Sequence, residues 1–298
     1  MIYVVGNKLK MNRDYTKTKF SFHSFRNIKK GLGEFDAVVE CNELAIREFT
    51  SNLSKTPDKE TYIQALAEKH SVRVDTVSLK LFESRIRQFY IMSVMQKAEQ
   101  FFDEFKKEYK DYNPIWVDKK DGETDLDNLL INTFSSLKNG IKEIKEEVYF
   151  GYEYYRFVRN RFAHFEEKDN KKLKSYLQKV KNYQVFYNNT FHSNSKPNEY
   201  KEIDFNDFLL ITNIIKNIGY TLCEKCKPDN QILAEIISKK EITTKTNKKI
   251  NSVKSLSKLK NNSERYSNAI ENLLNSHFGR INENDRNEII MNLNRILA

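Results

Sequence analysis

The sequence predicts an all-α fold, with a central up-and-down helical bundle and helical N- and C-terminal extensions. It holds 8 Gly and 4 Pro among 298 residues, whereas folds built from strands and hairpins use more of both in their turns. The 20 Phe and 16 Tyr supply enough aromatic mass for a packed core. Apolar residues also recur at spacings of three and four over long stretches, which is typical of a helix with one buried face.

The first 57 residues have the least regular pattern. Residues 7–20 are polar and predict irregular structure. The stretch AVVECNELAIREF, residues 37–49, fits either a helix or a strand followed by a helix. A short helix is predicted over residues 59–70.

The first principal helix of the bundle is predicted to begin at Asp75. Its apolar stripe keeps the three-and-four spacing over many turns and consists of Leu79, Phe82, Ile86, Phe89, Tyr90, Val94, Phe101, Phe102 and Phe105. A second helix follows Thr124, a residue that caps helix N-termini, and is predicted to end at Gly140.

The remaining helices are predicted by the same rules. A third principal helix covers about residues 141–165, and a fourth begins at Asp204 or Asn206 and extends to about residue 226. The polar segment between them is predicted to hold one helix, over residues 171–187. Past Pro228 we expect a short helix over 230–240 and two closing helices near 262–278 and 283–297.

These elements suggest three segments. Residues 1–70 form an N-terminal region, mixed or helical, that could be an accessory part. Residues 71–228 form the helical bundle, and residues 229–298 form a basic helical C-terminal region. No internal repeat is found in the sequence.

The net charge is +10, which favours a polyanionic partner such as nucleic acid. Part of the excess could instead reflect AT-rich codon usage, because the chain is rich in Lys, Asn, Ile and Tyr. Residues 239–265 hold nine Lys or Arg against two Glu. This basic tract fits RNA contact and a solvated linker equally well, since Tyr266 is the one aromatic residue close by.

Three cysteines occur, Cys41, Cys223 and Cys226, and so small an odd set argues against a disulfide scaffold. We find no secretory signal and no apolar run of membrane-spanning length. The sequence therefore predicts a soluble, cytoplasmic protein without a membrane partner. The single C-x-x-C at Cys223 lacks a second ligand pair, so we expect neither a metal site nor a cofactor.

The segment RNRFAH, residues 159–164, resembles the R-N-x-x-x-H signature of the HEPN superfamily. In this chain Arg159, Asn160 and His164 match the signature, on the third of four predicted bundle helices. The family consists of small helical-bundle proteins, many of them metal-independent endoribonucleases that act as bacterial toxins, abortive-infection proteins or antiviral defence effectors. The resemblance covers about half of the chain and implies a ribonuclease (a hydrolase) with Arg159, Asn160 and His164 as catalytic residues.

The chemistry of these residue types fits RNA cleavage without a metal. The 2′-OH of RNA can attack the neighbouring phosphorus if a His near neutral pKa moves the proton. A guanidinium can hold the phosphate oxygens as negative charge grows. Asn160 can orient the imidazole or hydrogen-bond the phosphate. Arg156 and Arg161, in the same segment, are candidate RNA-binding residues.

The spacing sets a geometric condition, because five residues turn an ideal helix by about 140°. Arg159 and His164 would then face different ways, whereas Arg156, Asn160 and His164 share a stripe. Either the helix bends or ends near His164, or Arg159 serves a shared interface. The resemblance implies the second, a homodimer in which two copies of the motif form one cleft.

Other interpretations remain open. The segment 66–81 resembles a repressor-type helix-turn-helix, with Val72, Val77 and Leu81 at core positions, although a plain helical hairpin is favoured. A non-catalytic HEPN-like module that binds nucleic acid or a nucleotide is the alternative function. An antitoxin or regulatory RNA could be a further partner. HEPN toxins silenced by a nucleotidyltransferase carry Tyr two residues after the His; Glu166 stands there in this chain, so that switch is not supported.

Overall fold

Helices dominate the part of the chain that the structure describes, which confirms the predicted all-α class. The computed structural model describes residues 19–74, 79–164, 170–191, 196–243, 249–256, 259 and 261–297. Two compact units are formed. One consists of the described residues within 24–107 and 115–222, and the other of the described residues within 1–23, 108–114 and 223–298. The three segments predicted from the sequence stay a prediction.

The helices whose residues lie wholly or mainly in the larger unit follow one another along the chain with short connections. Their bounds are α1 His23–Ser54, α2 Lys59–Lys69, α3 Leu79–Lys110, α4 Asp125–Phe134, α5 Leu137–Ile144, α6 Glu146–His164, α7 Asn170–Lys181, α8 Gln184–Phe191, a 3₁₀ turn Tyr200–Glu202, and α9 Phe205–Lys225.

The N-terminal region is helical where it is described in this unit. Residues 37–49 lie within α1, so the helical alternative is correct for that stretch. Helix α2 matches the short helix predicted over 59–70, and Asp58 caps it by accepting a hydrogen bond from the Thr61 amide. Most of the segment 7–20 that was predicted irregular lies outside the described residues.

The core of the larger unit forms where α1, α3, α6 and α9 meet. Phe208 of α9 contacts Phe35 of α1 and Tyr90 of α3, each with ring centroids 5.9 Å apart. Phe102 of α3 lies 5.6 Å from Tyr152 of α6. The predicted stripe of α3 is buried at Tyr90, Val94, Phe101, Phe102 and Phe105, as its period requires, whereas Phe89 of the same stripe is 51% exposed.

The second predicted helix is in fact two helices. Thr124 caps α4 through a reciprocal capping box with Asp127, as predicted for its start. Ser135 then adopts a left-handed conformation, and Ser136 caps α5. Gly140 lies inside α5 and does not end a helix. A Cβ at Gly140 would lie 2.5 Å from Leu130 Cβ, so glycine is needed for close packing of α5 on α4.

The helix predicted over 171–187 is also divided. Helix α7 ends at Lys181, residues 182 and 183 form a turn, and α8 begins at Gln184. Helix α9 begins after Asp204, whose carboxylate accepts hydrogen bonds from the amides of Asn206 and Asp207. Of the two capping residues considered, Asp204 is therefore the one that caps α9.

The smaller unit holds the chain's closing elements. Their bounds are β1 Lys19–Phe20, α10 Asn230–Lys239, β2 Glu241–Thr243, β3 Lys249–Asn251, α11 Ser252–Leu256, α12 Ser263–Phe278, β4 Gly279–Arg280 and α13 Glu283–Leu297. Both closing helices match their predicted ranges closely. Strand β1 pairs antiparallel with β4, and β2 pairs antiparallel with β3.

The packing of this unit rests on α10 and α13. Asn230 at the start of α10 donates hydrogen bonds to Asp285 and Glu288 of α13. Leu233, Ile237 and Ile289 are fully buried. In the described part of the basic tract, Val253 is also fully buried and the Ser252 amide donates to the Lys240 carbonyl. That part of the tract is packed secondary structure, and its RNA contact stays a prediction.

Among the described residues, no helix is both long enough and apolar enough to cross a membrane.

Candidate active site

Helix α6 carries the R-N-x-x-x-H residues, and aromatic side chains anchor it in the core. Tyr152, Tyr154 and Tyr155 are almost completely buried. Gly151 lies among them and permits a close approach, since a Cβ there would lie 2.7 Å from Ile214 of α9. Glu146 and Glu147 in the first turn suit the positive end of the helix dipole. The helix is therefore held firmly along the turns that precede the motif.

The structure places Arg159, Asn160 and His164 in the last turns of α6. The helix runs without a break from Arg159 to His164, and its described part ends there. Because the helix is unbroken within the motif, the difference of about 140° between the positions of Arg159 and His164 remains. The His164 side chain lies outside the described residues.

The Arg159 side chain is fixed between two acceptors. Its Nη2 donates to the carboxylate of Glu99 on α3, and its Nη1 donates to Oδ1 of Asn160 at 3.0 Å. The side chains of Arg159 and Glu99 are 23% and 33% exposed, so solvent and a ligand can both reach the pair. The geometry thus brings Arg159 and Asn160 together and adds Glu99 to them.

Arg156 is held by a buried carboxylate. Its Nε and Nη2 both donate to Glu153, at 2.7–3.0 Å, and the guanidinium lies over the Phe157 ring, 4.5 Å from the centroid. Burial raises the pKa of Glu153, although the Arg156 charge opposes this shift. An RNA contact by Arg156, which stays a prediction, would compete with this ion pair.

Arg161 lies on another side of α6. Its guanidinium covers the ring of Tyr200 in the 3₁₀ turn, 4.6 Å from the centroid. Phe162 instead packs on Phe89 of α3, with ring centroids 4.8 Å apart and a T-shaped arrangement. Phe162 and Tyr155 thus serve the core of this chain. Arg161 therefore does not lie on one patch with Arg159, whereas Arg156, three residues before Arg159, is its neighbour on the helix surface.

A buried network fixes the segment that follows α8. The carboxylate of Asp207, at the start of α9, accepts hydrogen bonds from the Tyr155 hydroxyl at 2.7 Å, from the amide and side chain of Asn198, and from the Asp204 amide. Burial raises the pKa of Asp207 to about 6, against these hydrogen bonds. Tyr154 also donates to the Asn198 carbonyl. The network ties α6, α9 and residues 198–204 together.

The sequence did not point to Glu99, Glu153 or Tyr200. Glu99 is 60 residues from Arg159, and its neighbours on α3 indicate only the apolar stripe. Glu153 could have been found as an (i, i+3) partner of Arg156. The position of Tyr200 beside Arg161 depends on the path of the chain after α8, for which the sequence has no clear signal.

The carboxylates considered for metal catalysis have structural contacts. Asp127 completes the α4 cap and accepts a hydrogen bond from the Tyr149 hydroxyl at 2.8 Å, while Asp125 pairs with Lys119 at 2.7 Å. Glu166 and Glu167, the other pair considered, lie outside the described residues. Within the described ranges, His, Cys, Asp and Glu form no cluster of three that could hold a metal ion.

The segment 66–81 does not place its apolar residues as a helix-turn-helix would. Val72 and Leu81 are 56% and 55% exposed, whereas that motif needs both in its core. Val77 lies outside the described residues. Helix α3 continues to Lys110 as a long bundle helix. These observations favour the plain helical hairpin.

Comparison with models of known protein families, with curated proteins and with solved structures found no match for this chain.

Proposed function

We propose that the protein is a metal-independent endoribonuclease of the HEPN type, which cleaves RNA by transesterification through the 2′-OH. One observation carries the proposal. The R-N-x-x-x-H residues occupy the last turns of a long bundle helix, and Arg159 is oriented there by Asn160 and by Glu99 from a neighbouring helix. An oriented, solvent-reachable guanidinium is the group that a phosphoryl transition state requires.

Each residue has a distinct role in this mechanism. His164 moves the proton of the 2′-OH or of the leaving 5′-oxygen, because imidazole titrates near neutral pH. Arg159 holds the non-bridging phosphate oxygens. A guanidinium has five N–H donors in a planar fork, and the contacts with Asn160 and Glu99 each use one terminal nitrogen. The remaining donors can hold a phosphate in a fixed orientation.

Glu99 sets the orientation of the Arg159 guanidinium and reduces its affinity for phosphate. Before RNA binds, its carboxylate neutralises and orients Arg159. A phosphodiester that approaches must compete with this carboxylate for the guanidinium, so Glu99 weakens ground-state binding and improves geometry. As charge builds on the phosphate in the transition state, the Arg159 guanidinium interacts with it more strongly, and this gain lowers the barrier whether or not Glu99 is charged.

The proposal extends to assembly and to biological role. The unbroken helix from Arg159 to His164 favours a site completed by a second copy of the chain, as the resemblance implies. The protein would act in the cytoplasm as a toxin or anti-phage defence effector. A non-catalytic module that binds nucleic acid or a nucleotide is the second candidate, and the ion pairs that occupy Arg159 and Arg156 favour it.

Incubation of the purified chain with generic single-stranded RNA in EDTA separates the two candidates. We expect cleavage by the wild type and a loss of roughly a hundredfold or more in rate for His164→Ala, the usual scale for loss of a general acid–base. His70→Ala is the matched control, because His70 is an exposed histidine at the end of α2 in the same unit.

Thermal unfolding of each variant completes the experiment. His164→Ala should unfold at the wild-type temperature, and its inactivity then reports lost chemistry. Intact RNA that is bound tightly by the wild type would support the binding module. Cleavage retained by His164→Ala would refute the catalytic assignment.

A further inference from the structure

A basic cleft lies beside α6, between α7 and the 3₁₀ turn. It has a volume of about 530 Å³, which is in the range of small-molecule sites. The cleft lies on the Arg161 side of α6. Arg159 faces Glu99 of α3 instead, and two residues along a helix turn by about 200°. The cleft is thus a different place from the candidate active site.

The charged residues that line the cleft are mostly cationic. Its described lining includes Arg161, Lys174, Lys181 and Lys201, and one carboxylate, that of Glu199. Lys181 lies 3.9 Å from Glu199, a distance at which an exposed pair contributes little. Four positive side chains around a concave surface create a positive potential that attracts phosphate.

An aromatic platform forms one wall. The Tyr200 ring is half-buried and has the Arg161 guanidinium on one face at 4.6 Å. A planar guanidinium and a tyrosine ring are both surfaces on which nucleobases stack. The combination of a stacking surface and several phosphate-binding cations is typical of sites for nucleotides.

The platform is held rigidly from two sides. The Gln88 side chain, which is almost fully buried, donates to the Tyr200 carbonyl at 2.8 Å. The Asp207 network fixes Asn198, two residues earlier. Because this wall is already ordered, binding of a ligand would cost little conformational entropy of the protein.

We propose that this cleft binds a nucleoside phosphate, with the base stacked at Tyr200 and Arg161 and the phosphate held by Lys174, Lys181 and Lys201. The ligand is either a free nucleotide or one nucleotide of an RNA strand, because both present the same base and phosphate. The proposal concerns binding and does not depend on cleavage at Arg159 and His164.

The test uses the full-length His164→Ala chain as parent, so that RNA stays intact. One probe is an equimolar mixture of the four nucleoside 5′-monophosphates, measured by calorimetry. The other is a fluorescein-labelled single-stranded RNA, measured by anisotropy at several salt concentrations. The cleft variants are Lys174→Ala/Lys201→Ala and Tyr200→Leu. Tyr200→Phe keeps the ring, and Lys171→Ala/Lys172→Ala removes the same charge from α7 outside the cleft.

For Tyr200→Leu we expect a loss of about fivefold or more in affinity, the scale of one stacked base, while Tyr200→Phe binds like the parent. The Lys174→Ala/Lys201→Ala variant should reduce the salt slope of RNA binding by about 1.4, since two phosphate contacts are lost. The Lys171→Ala/Lys172→Ala control should bind more tightly than the cleft double variant. Binding of monophosphates identifies a free-nucleotide site, and binding of the strand alone identifies an RNA-strand site.

Parent-like affinity of Tyr200→Leu and of Lys174→Ala/Lys201→Ala for both probes, with unchanged thermal unfolding, would overturn the proposal. The result for the cleft can be told apart from the result for the proposed ribonuclease activity. Wild-type cleavage with an inert cleft would refute only the cleft, and a working cleft without wild-type cleavage would refute only the enzyme.

Discussion

In the proposed mechanism, an RNA phosphate and the Glu99 carboxylate compete for the guanidinium of Arg159. Glu99 binds that guanidinium before RNA arrives. Both side chains are partly exposed, so water screens the pair and its energy is modest. The pair nevertheless decides how the guanidinium points, and Asn160 fixes its other terminal nitrogen at 3.0 Å. Charge and orientation can be separated by substitution at position 99.

Glu99→Gln keeps a hydrogen-bond acceptor for Arg159 and removes the competing charge. We expect KM for RNA to fall by about two- to fivefold, the scale of a partly exposed ion pair, with kcat little changed. Glu99→Ala removes the acceptor as well, so kcat should fall. Steady-state kinetics on a short RNA measures both. Glu104→Gln is the control, since it removes a partly exposed charge from the same helix, and Glu104 is bound by Gln100 and not by Arg159. Equal KM values for Glu99→Gln and Glu104→Gln would show that Glu99 does not act on Arg159.

Asp207 makes the unfolding free energy depend on pH. Burial raises its pKa from the ordinary 3.8 to about 6 in the folded chain. The folded state therefore holds the proton more tightly than the unfolded state. The stability from this group is fully present below about pH 4 and is lost as the pH rises through about 6.

Asp207→Asn removes that titration. From pH 4 to pH 7 the wild type should lose about 2 kcal/mol of unfolding free energy relative to the variant. Urea unfolding of both proteins at pH 4, 5.5 and 7 measures the difference. A constant difference across this range would mean that Asp207 is ionised in the fold at all three values, with hydrogen bonds outweighing burial.

At the scale of elements, the packing of α5 on α4 depends on Gly140, a position predicted from the sequence to end a helix. Gly140→Ala would place a Cβ 2.5 Å from Leu130 Cβ, an atom next to the backbone that cannot move aside alone. We expect a loss of about 1–3 kcal/mol in unfolding free energy, as for other overpacked sites. Gly33→Ala in α1 is the control, because no atom lies within 4 Å of its added Cβ, and it should be neutral or stabilising by up to about 1 kcal/mol.

Chemical denaturation of the two variants compares them directly. If both gain stability equally, helix propensity outweighs the contact and the packing of α5 on α4 adjusts freely.

Most elements could be predicted because their signals are local. The three-and-four stripe marks α3, and Asp204 and Thr124 are of the residue types that cap helices. The break at Ser135 could not be predicted, since serine seldom adopts the left-handed conformation that it has here. The site was predictable as a motif on α6. Its partners Glu99 and Tyr200 were not, because both come from distant parts of the chain.

At the scale of the whole molecule, the unbroken helix through the motif makes dimerisation the central structural consequence of the proposed function. If one catalytic set needs Arg159 from one chain and His164 from its partner, two inactive variants can complement each other. Mixing Arg159→Ala with His164→Ala chains, after exchange of subunits, should restore cleavage to roughly a quarter of the wild-type rate or more.

Light scattering at high concentration gives the independent readout. A monomeric protein that still cleaves RNA would refute the shared site and would require Arg159 and His164 of one chain to act together.

The chemistry of the product ends tests the proposed mechanism most directly. RNA should be incubated with the wild-type protein in excess EDTA, and the fragments analysed for their termini. Attack by the 2′-OH must leave a 2′,3′-cyclic phosphate on one fragment and a 5′-OH on the other. We predict these ends, at a rate that EDTA does not reduce. Fragments with 5′-phosphate ends, formed only without EDTA, would show that a metal-activated water is the nucleophile and would contradict the mechanism.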